Sequence, residues 1–264
     1  MNTPNQIATG VAAPAAIDAE TVALPDQLST PRLLVLFLLP GALMTLAFVL
    51  LKPVVEAIGF PPIAALLLAI VGVLVPFELA VVVRAGRAAG SVRAAIPYRV
   101  PMPLVTWLWL VPALIVAAFL GFGIHQLIEP WLITTFFGWL PQWYVTPISM
   151  DHVVDYSSAV WTVTLVAFLA INGFVGPIVE ELYFRGYLLP RMERMGRWAP
   201  LVNVSLFSLY HFWSPWQLVA RILGFAPTVY AVRWKRNIYL GMVVHCSLNT
   251  IAVLLVASLV FGRL

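Results

Sequence analysis

The sequence predicts an all-α, polytopic membrane bundle of seven transmembrane helices, or eight if one further segment also crosses. Three observations carry this. Of the 264 residues 62% are hydrophobic and only 10% are charged, where a soluble domain has about 25% charged residues. The apolar residues gather in runs close to the roughly 20 residues that cross a bilayer. Loops rich in Arg alternate with loops that have neither Lys nor Arg, the pattern of the positive-inside rule.

Residues 1–31 are rich in Ala, Pro and Thr, with three acids and no Lys or Arg before Arg32. They lack the positive region and apolar core of a signal peptide and read as a disordered cytoplasmic tail. Residues 32–264 form the membrane domain. Its apolar runs are 33–51, 63–83, 104–124, 159–179, 199–212, 216–232 and 238–261. The fourth continues toward Pro190, the fifth is short, and an eighth crossing or re-entrant piece fits 128–144.

Arg84, Arg87, Arg93 and Arg99 follow the second run, Arg191, Arg194 and Arg197 the fourth, and Arg233, Lys235 and Arg236 the sixth. Ile124 to Ser158 contains no Lys or Arg. This alternation places the N-terminus inside and the C-terminus outside, with Lys52 and Arg263 as mild exceptions. The net charge of +4 is spread over these blocks and forms no nucleic-acid face. The single cysteine, Cys246, excludes an internal disulfide. The outer loop carries Trp131, Phe136, Phe137, Trp139, Trp143 and Tyr144, which fit an interfacial aromatic belt or a lid over a cavity.

Ionisable groups inside a span cost about 2.5–3.5 kcal/mol each on insertion scales, so they persist where they pair or do chemistry. Here they are Glu78, Glu180, Glu181, Arg185, His211, Arg221 and His245, with the amides Asn172, Asn203 and Asn249. Glu78, near Arg84 and Arg87, reads as snorkelling or paired. Arg221 could partner a buried acid, although its neighbours in sequence do not decide this. His125 and His152 lie at or in the outer loop and read as structural.

Glu181 and Arg185 are four apart and share a helix face, so they can pair. Glu180 points about 100° away from Glu181, which leaves one carboxylate free. Phe207 and His211 are four apart, and so are His245 and Asn249. At about 1.5 Å per residue, Glu180 lies about 16 Å from Arg191, His211 about 21 Å from Arg197 and His245 about 14 Å from Arg236. All three fall in the middle of a core about 30 Å thick. If their helices are neighbours, they form one polar pocket inside the membrane.

A free carboxylate beside imidazoles is a set for activating water, and His and Asn side chains can stabilise an oxyanion. Glu180, His211 and His245 also match a His₂Glu set for a divalent metal such as zinc, although the helical HExxH signature is absent. No Ser/His/Asp arrangement is evident, and Cys246 lies on a different face from His245.

Glu180 to Arg185 (EELYFR), Phe207 to His211 (FSLYH) and His245 to Asn249 (HCSLN) resemble the three motifs of the CPBP family, EExxxR, FxxxH and HxxxN/D. This is the CAAX protease and bacteriocin-processing group of intramembrane endopeptidases, also called Abi. The motifs, within residues 176–250, cover about a third of the chain. The resemblance implies an all-helical membrane protease of a bacterial or archaeal cell membrane whose site opens to the cytoplasm. Glu180 would then activate water with His211, His245 and Asn249 would stabilise the oxyanion, and Glu181, Arg185 and Phe207 would support them. Its partners would be membrane lipid and a protein or peptide substrate. The resemblance leaves metal dependence open. The competing class is a non-enzymatic immunity or scaffold factor, or a small transporter; paired midplane charges also mark transporters, but no inverted repeat is visible.

Overall fold

The computed structural model describes residues 25–148 and 150–264. Most of the expected N-terminal tail, residues 1–24, lies outside the described residues. Residues 25–29 run beside the turn at 189–194: Leu28 N donates to Arg191 O, and Gln27 bonds Pro190 O and Arg194 N. The first helix starts at Thr30, two residues before the expected start of the domain.

The architecture is all-helical. Among the described residues, five stretches are long and apolar enough to cross a membrane: Thr30–Ala57, Ile63–Ala88, Leu104–Gln126, Ser158–Leu209 and Ile238–Phe261. The first three are α1, α2 and α3. The fourth, of 52 residues, is broken by 3-10 turns over Leu189–Trp198, where Gly196 takes φ 56 and ψ −132. That backbone favours glycine. The break separates α4 (residues 158–188) from α5 (Ala199–Leu209), and Leu218–Lys235 (α6) and Ile238–Phe261 (α7) follow.

The expected fifth run is thus an 11-residue helix, and α6 carries Arg221, Arg233 and Lys235. Neither is among the five spanning candidates. Residues 128–144 form short turns, with helices at Glu129–Leu132 and Gln142–Val145.

Successive helices run in alternating directions, so the bundle has two chemically distinct ends. At one end Tyr98 O–H donates to Glu193, Arg233 clasps Glu193 at 2.6–3.2 Å, Arg191 Nη1 donates to Ala95 O, and Arg99 bridges to Asn237. Burial, with the bond to Glu193, pushes the Tyr98 phenol above its ordinary value, so it remains a donor. Asn237 accepts from Leu240 N to cap α7 and donates to Val100 O, which locks this end together.

At the other end the aromatic loop folds onto the bundle. Tyr144 O–H donates to Phe212 O at 2.8 Å, and the Tyr144 ring packs against Phe48, Trp143 and Trp216. Phe137 also meets Trp216, while Trp131, Phe136 and Trp139 stay exposed. The six aromatics therefore divide between packing and an outward belt.

Candidate active site

The site begins with π-helical turns. They occur over Ile70–Leu74 in α2 and over Leu169–Val175 and Glu181–Leu188 in α4. A π turn widens the helix and upsets the usual carbonyl pairing, and such turns gather at functional sites. The Asn172 carbonyl is used in this way: it accepts from Asn249 Nδ2 at 2.8 Å, which fixes the Asn249 amide on α7 against α4.

Glu180 and Glu181 project from one turn of α4 in different directions, as their spacing requires. Glu180 Oε1 accepts from the Tyr210 hydroxyl, and Oε2 lies 3.7 Å from His245 Nε2. Glu181 Oε1 lies 3.1 Å from His245 Nδ1 and 3.2 Å from Arg185 Nη1. The His245 imidazole therefore sits between two carboxylates, one at each ring nitrogen. With Nδ1–H donated to Glu181, Nε2 is the atom turned toward Glu180. Arg185 lies over the Phe207 ring at 4.0 Å, so its buried charge has an ion pair and an aromatic face.

Gly241 on α7 makes this packing possible. A Cβ there would collide with Glu181 Oε2 and stand 3.1 Å from its Cδ. Glycine is the residue that lets α7 approach the carboxylate.

His211 departs from its expected position. The helix stops at Leu209, and His211 lies in the turn just beyond it. Its Nδ1 nevertheless meets Phe207 O at 2.7 Å. That carbonyl is one of the last four of α5, which have no partner within the helix. The carbonyl only accepts, so Nδ1 carries the proton and Nε2 is left as an acceptor. The Tyr210 ring stands edge-on to the imidazole, with centroids 4.4 Å apart.

Glu180, His211, His245 and Asn249 line one cavity of about 340 Å³. Phe207 lines it as well, while Glu181 and Arg185 sit behind its wall. Asn203 takes no part: it is buried and donates to Phe184 O at 3.0 Å. Cys246 does not line the cavity.

Three sequence readings change. His125 lines this cavity with 1% exposure, and neither ring nitrogen has a hydrogen-bond partner among the described residues. Its helix brings it there because α3 crosses α6 closely: a Cβ on Gly121, one turn earlier, would lie 2.7 Å from Leu223 C. Glu78 neither snorkels nor pairs among the described residues: it is 0% exposed, and neither oxygen has a partner there. It shares the buried face of α2 with Val82 and Gly86, which turns it away from lipid and from the basic loop. Arg221 meets no carboxylate among the described residues. It bonds Ser214 O, Ser214 Oγ and Gln217 Oε1, and lines the cavity.

The donor set does not fit a metal as placed. Among the described residues no group of three or more His, Cys, Asp or Glu is disposed to hold an ion, and the contacts of Glu180 and His245 are with one another, with Tyr210 and with Glu181.

Residues 162–251 match the family model described as type II CAAX prenyl endopeptidase Rce1-like. No curated protein and no solved structure matches the chain. The matched stretch contains all three motifs and, with Asn172 and Tyr210, every contact just described for Glu180 and for Asn249. Over this stretch, about a third of the chain, the protein is similar to the CAAX protease family of membrane endopeptidases.

Proposed function

We propose that the protein is an intramembrane endopeptidase that hydrolyses peptide bonds of membrane-associated proteins or peptides, of CAAX-like or bacteriocin-processing type. In this reading the chain makes seven crossings with its N-terminus in the cytoplasm. The observation that supports it is the pairing across one cavity of Glu180 Oε2 with His245 Nε2 at 3.7 Å. That gap is too long for a direct hydrogen bond and is one that water bridges.

Water held there donates one hydrogen to Glu180 Oε2, accepts from His245 Nε2 when that nitrogen carries a proton, and has its second hydrogen free for His211 Nε2. The Tyr210 hydroxyl on Oε1 keeps the other carboxylate oxygen turned toward the water. As the water oxygen attacks the peptide carbonyl carbon, Glu180 takes its proton. The carbonyl oxygen becomes an oxyanion. His245 Nε2 donates to it when that nitrogen carries a proton, and Asn249 offers the amide hydrogen that Asn172 does not use. Glu180 then passes the proton to the leaving nitrogen and the C–N bond breaks. Glu181 holds the imidazole ring, Arg185 compensates Glu181, and Phe207 carries the Arg185 guanidinium. Every step of this reading uses the chain's own residues and water.

The test is to compare the membrane peptidomes of cells carrying the wild-type protein, no protein, or the Glu180→Ala variant. New peptide termini are expected with the wild type alone. A cellular phenotype that survives Glu180→Gln combined with His211→Ala would instead favour the non-enzymatic class.

A further inference from the structure

The cavity that holds Glu180 also holds a cation that the hydrolytic steps do not use. Arg221 projects from the first turn of α6. Among the described residues that line the cavity it is the only Lys or Arg, as Glu180 is the only acid. The two are not bonded to each other. Glu180 accepts from Tyr210 and faces His245, while Arg221 donates to Ser214 O, Ser214 Oγ and Gln217 Oε1.

Those bonds use three of the five N–H groups of the guanidinium. One N–H on Nε and one on Nη1 have no partner among the described residues. The bonds also fix the guanidinium in place. Ser214 N donates to His211 O, so the turn that carries His211 and the Arg221 side chain form one hydrogen-bonded unit on the cavity wall.

His125 is a second polar side chain on this cavity without a partner. It is 1% exposed, and neither ring nitrogen is bonded among the described residues. It comes from the helix next to Arg221: α3 and α6 touch at Gly121 and Leu223, about one turn before His125 and half a turn after Arg221. A charge inside the membrane persists where it pairs or does chemistry, and a buried polar group left unbonded is costly. A fixed guanidinium with unused N–H groups, beside an unbonded imidazole, is a wall built to donate hydrogen bonds to an anion. In the endopeptidase reading the cavity holds peptide, and the anion that a peptide offers is a carboxylate.

We propose that Arg221 and His125 form a carboxylate-binding subsite, which selects peptides that place an acid side chain or a free C-terminus within its reach. Arg221 Nε and Nη1 donate charge-assisted hydrogen bonds to the carboxylate, and His125 adds an N–H from α3. Both are specificity residues and touch no reacting atom. The identity of the occupant rests on the endopeptidase reading, but the anion preference of the wall does not depend on the chemistry.

The experiment measures binding and cleavage separately. The probes are dye-labelled, mainly apolar decapeptides of one sequence: a neutral, amidated form, forms with one Glu or one Gln at each position in turn, and a form with a free C-terminal carboxylate. Binding is followed by fluorescence anisotropy in detergent on Glu180→Gln protein, which does not turn the probes over. At least one acidic probe is expected to bind about tenfold or more tighter than its neutral counterpart, the scale of a hydrogen bond to a charged group. Adding Arg221→Gln is expected to abolish that preference and leave affinity for the neutral probe unchanged, and Arg221→Lys to restore part of it. A merely structural Arg221 would change both probes alike. Preference for a Glu position assigns the subsite to an acid side chain, and preference for the free carboxylate alone assigns it to a chain end. Equal binding of acidic and neutral probes, no binding of any, or a preference that Arg221→Gln leaves intact overturns the proposal. If Arg221→Gln fails to fold, the acidic and neutral probes and Arg221→Lys still decide. In the second arm wild-type protein is expected to cleave the preferred acidic probe with a lower KM than its neutral counterpart. Acid-selective binding without cleavage would uphold the subsite and count against the endopeptidase reading, whereas cleavage at equal KM would overturn the subsite and leave that reading intact.

Discussion

The two ring nitrogens of His245 face adjacent residues of one helix: Nδ1 lies 3.1 Å from Glu181 Oε1, and Nε2 lies 3.7 Å from Glu180 Oε2. A single turn of α4 thus supplies one carboxylate that orients the imidazole and another that shares the cavity with it. Adjacent glutamates can do this because they leave the helix about 100° apart.

The orienting half of this arrangement depends on Gly241. A methyl group there displaces the Glu181 carboxylate, and overpacking of this kind costs about 1–3 kcal/mol. Gly241→Ala is expected to lower kcat at least tenfold while leaving KM nearly unchanged, because the imidazole loses its register rather than the substrate its site. Gly123→Ala is the control, since a Cβ there meets nothing within 4 Å. Steady-state kinetics on the two variants decide it, and equal kcat values would remove Glu181 from its orienting role.

Tyr210→Phe removes the hydroxyl that donates to Glu180 and leaves the ring contacts with His211 and Phe184 in place. A hydrogen bond to a charged group contributes about 1.5–3 kcal/mol. The variant is expected to fold like the wild type and to lose roughly 10- to 100-fold in kcat. A wild-type pH–rate profile at full kcat would show that the hydroxyl does not set the position of the Glu180 carboxylate.

Arg185→Met tests the buried pair. It keeps most of the side-chain volume and leaves the Glu181 charge 1% exposed without its cation. Breaking such a pair from one side costs about 3–5 kcal/mol. A drop in melting temperature is expected in detergent, partly restored by adding Glu181→Gln. A melting temperature equal to the wild type would place the charge balance elsewhere.

Chelation addresses the donor set directly. Since no three His, Cys, Asp or Glu among the described residues are disposed as ligands, activity is expected to persist in a strong chelator, and elemental analysis to find no stoichiometric zinc. Loss of activity with the chelator, restored by added zinc, would assign Glu180, His211 and His245 to a metal.

Much of this site was legible because its groups are expensive where they are. An acid pair, two imidazoles and an amide in apolar runs stand out against lipid, and their i, i+4 spacings fix shared faces. The Glu181–Arg185 pairing follows from spacing alone. Tyr210 and His125 were not legible, for different reasons. Tyr210 adjoins His211 in sequence, but an aromatic in an apolar run carries no mark of its hydrogen bond. His125 ends α3 beside a loop, and only the close crossing at Gly121 turns it inward. Glu78 was misread because nearby arginines suggested a partner, whereas the helix face that it shares with Val82 and Gly86 decides its burial. The spans were legible as apolar length, but the break at Gly196 was not, since it depends on a backbone conformation and not on hydropathy.

The most direct measurement is the cleavage rate of purified, liposome-reconstituted protein on a substrate taken from the peptidome comparison, wild type against Glu180→Ala. A residual rate at least a hundredfold lower is expected on the scale of lost general-base catalysis, about 10²–10⁴-fold. Equal rates in the two proteins would contradict a hydrolytic role for the Glu180 carboxylate.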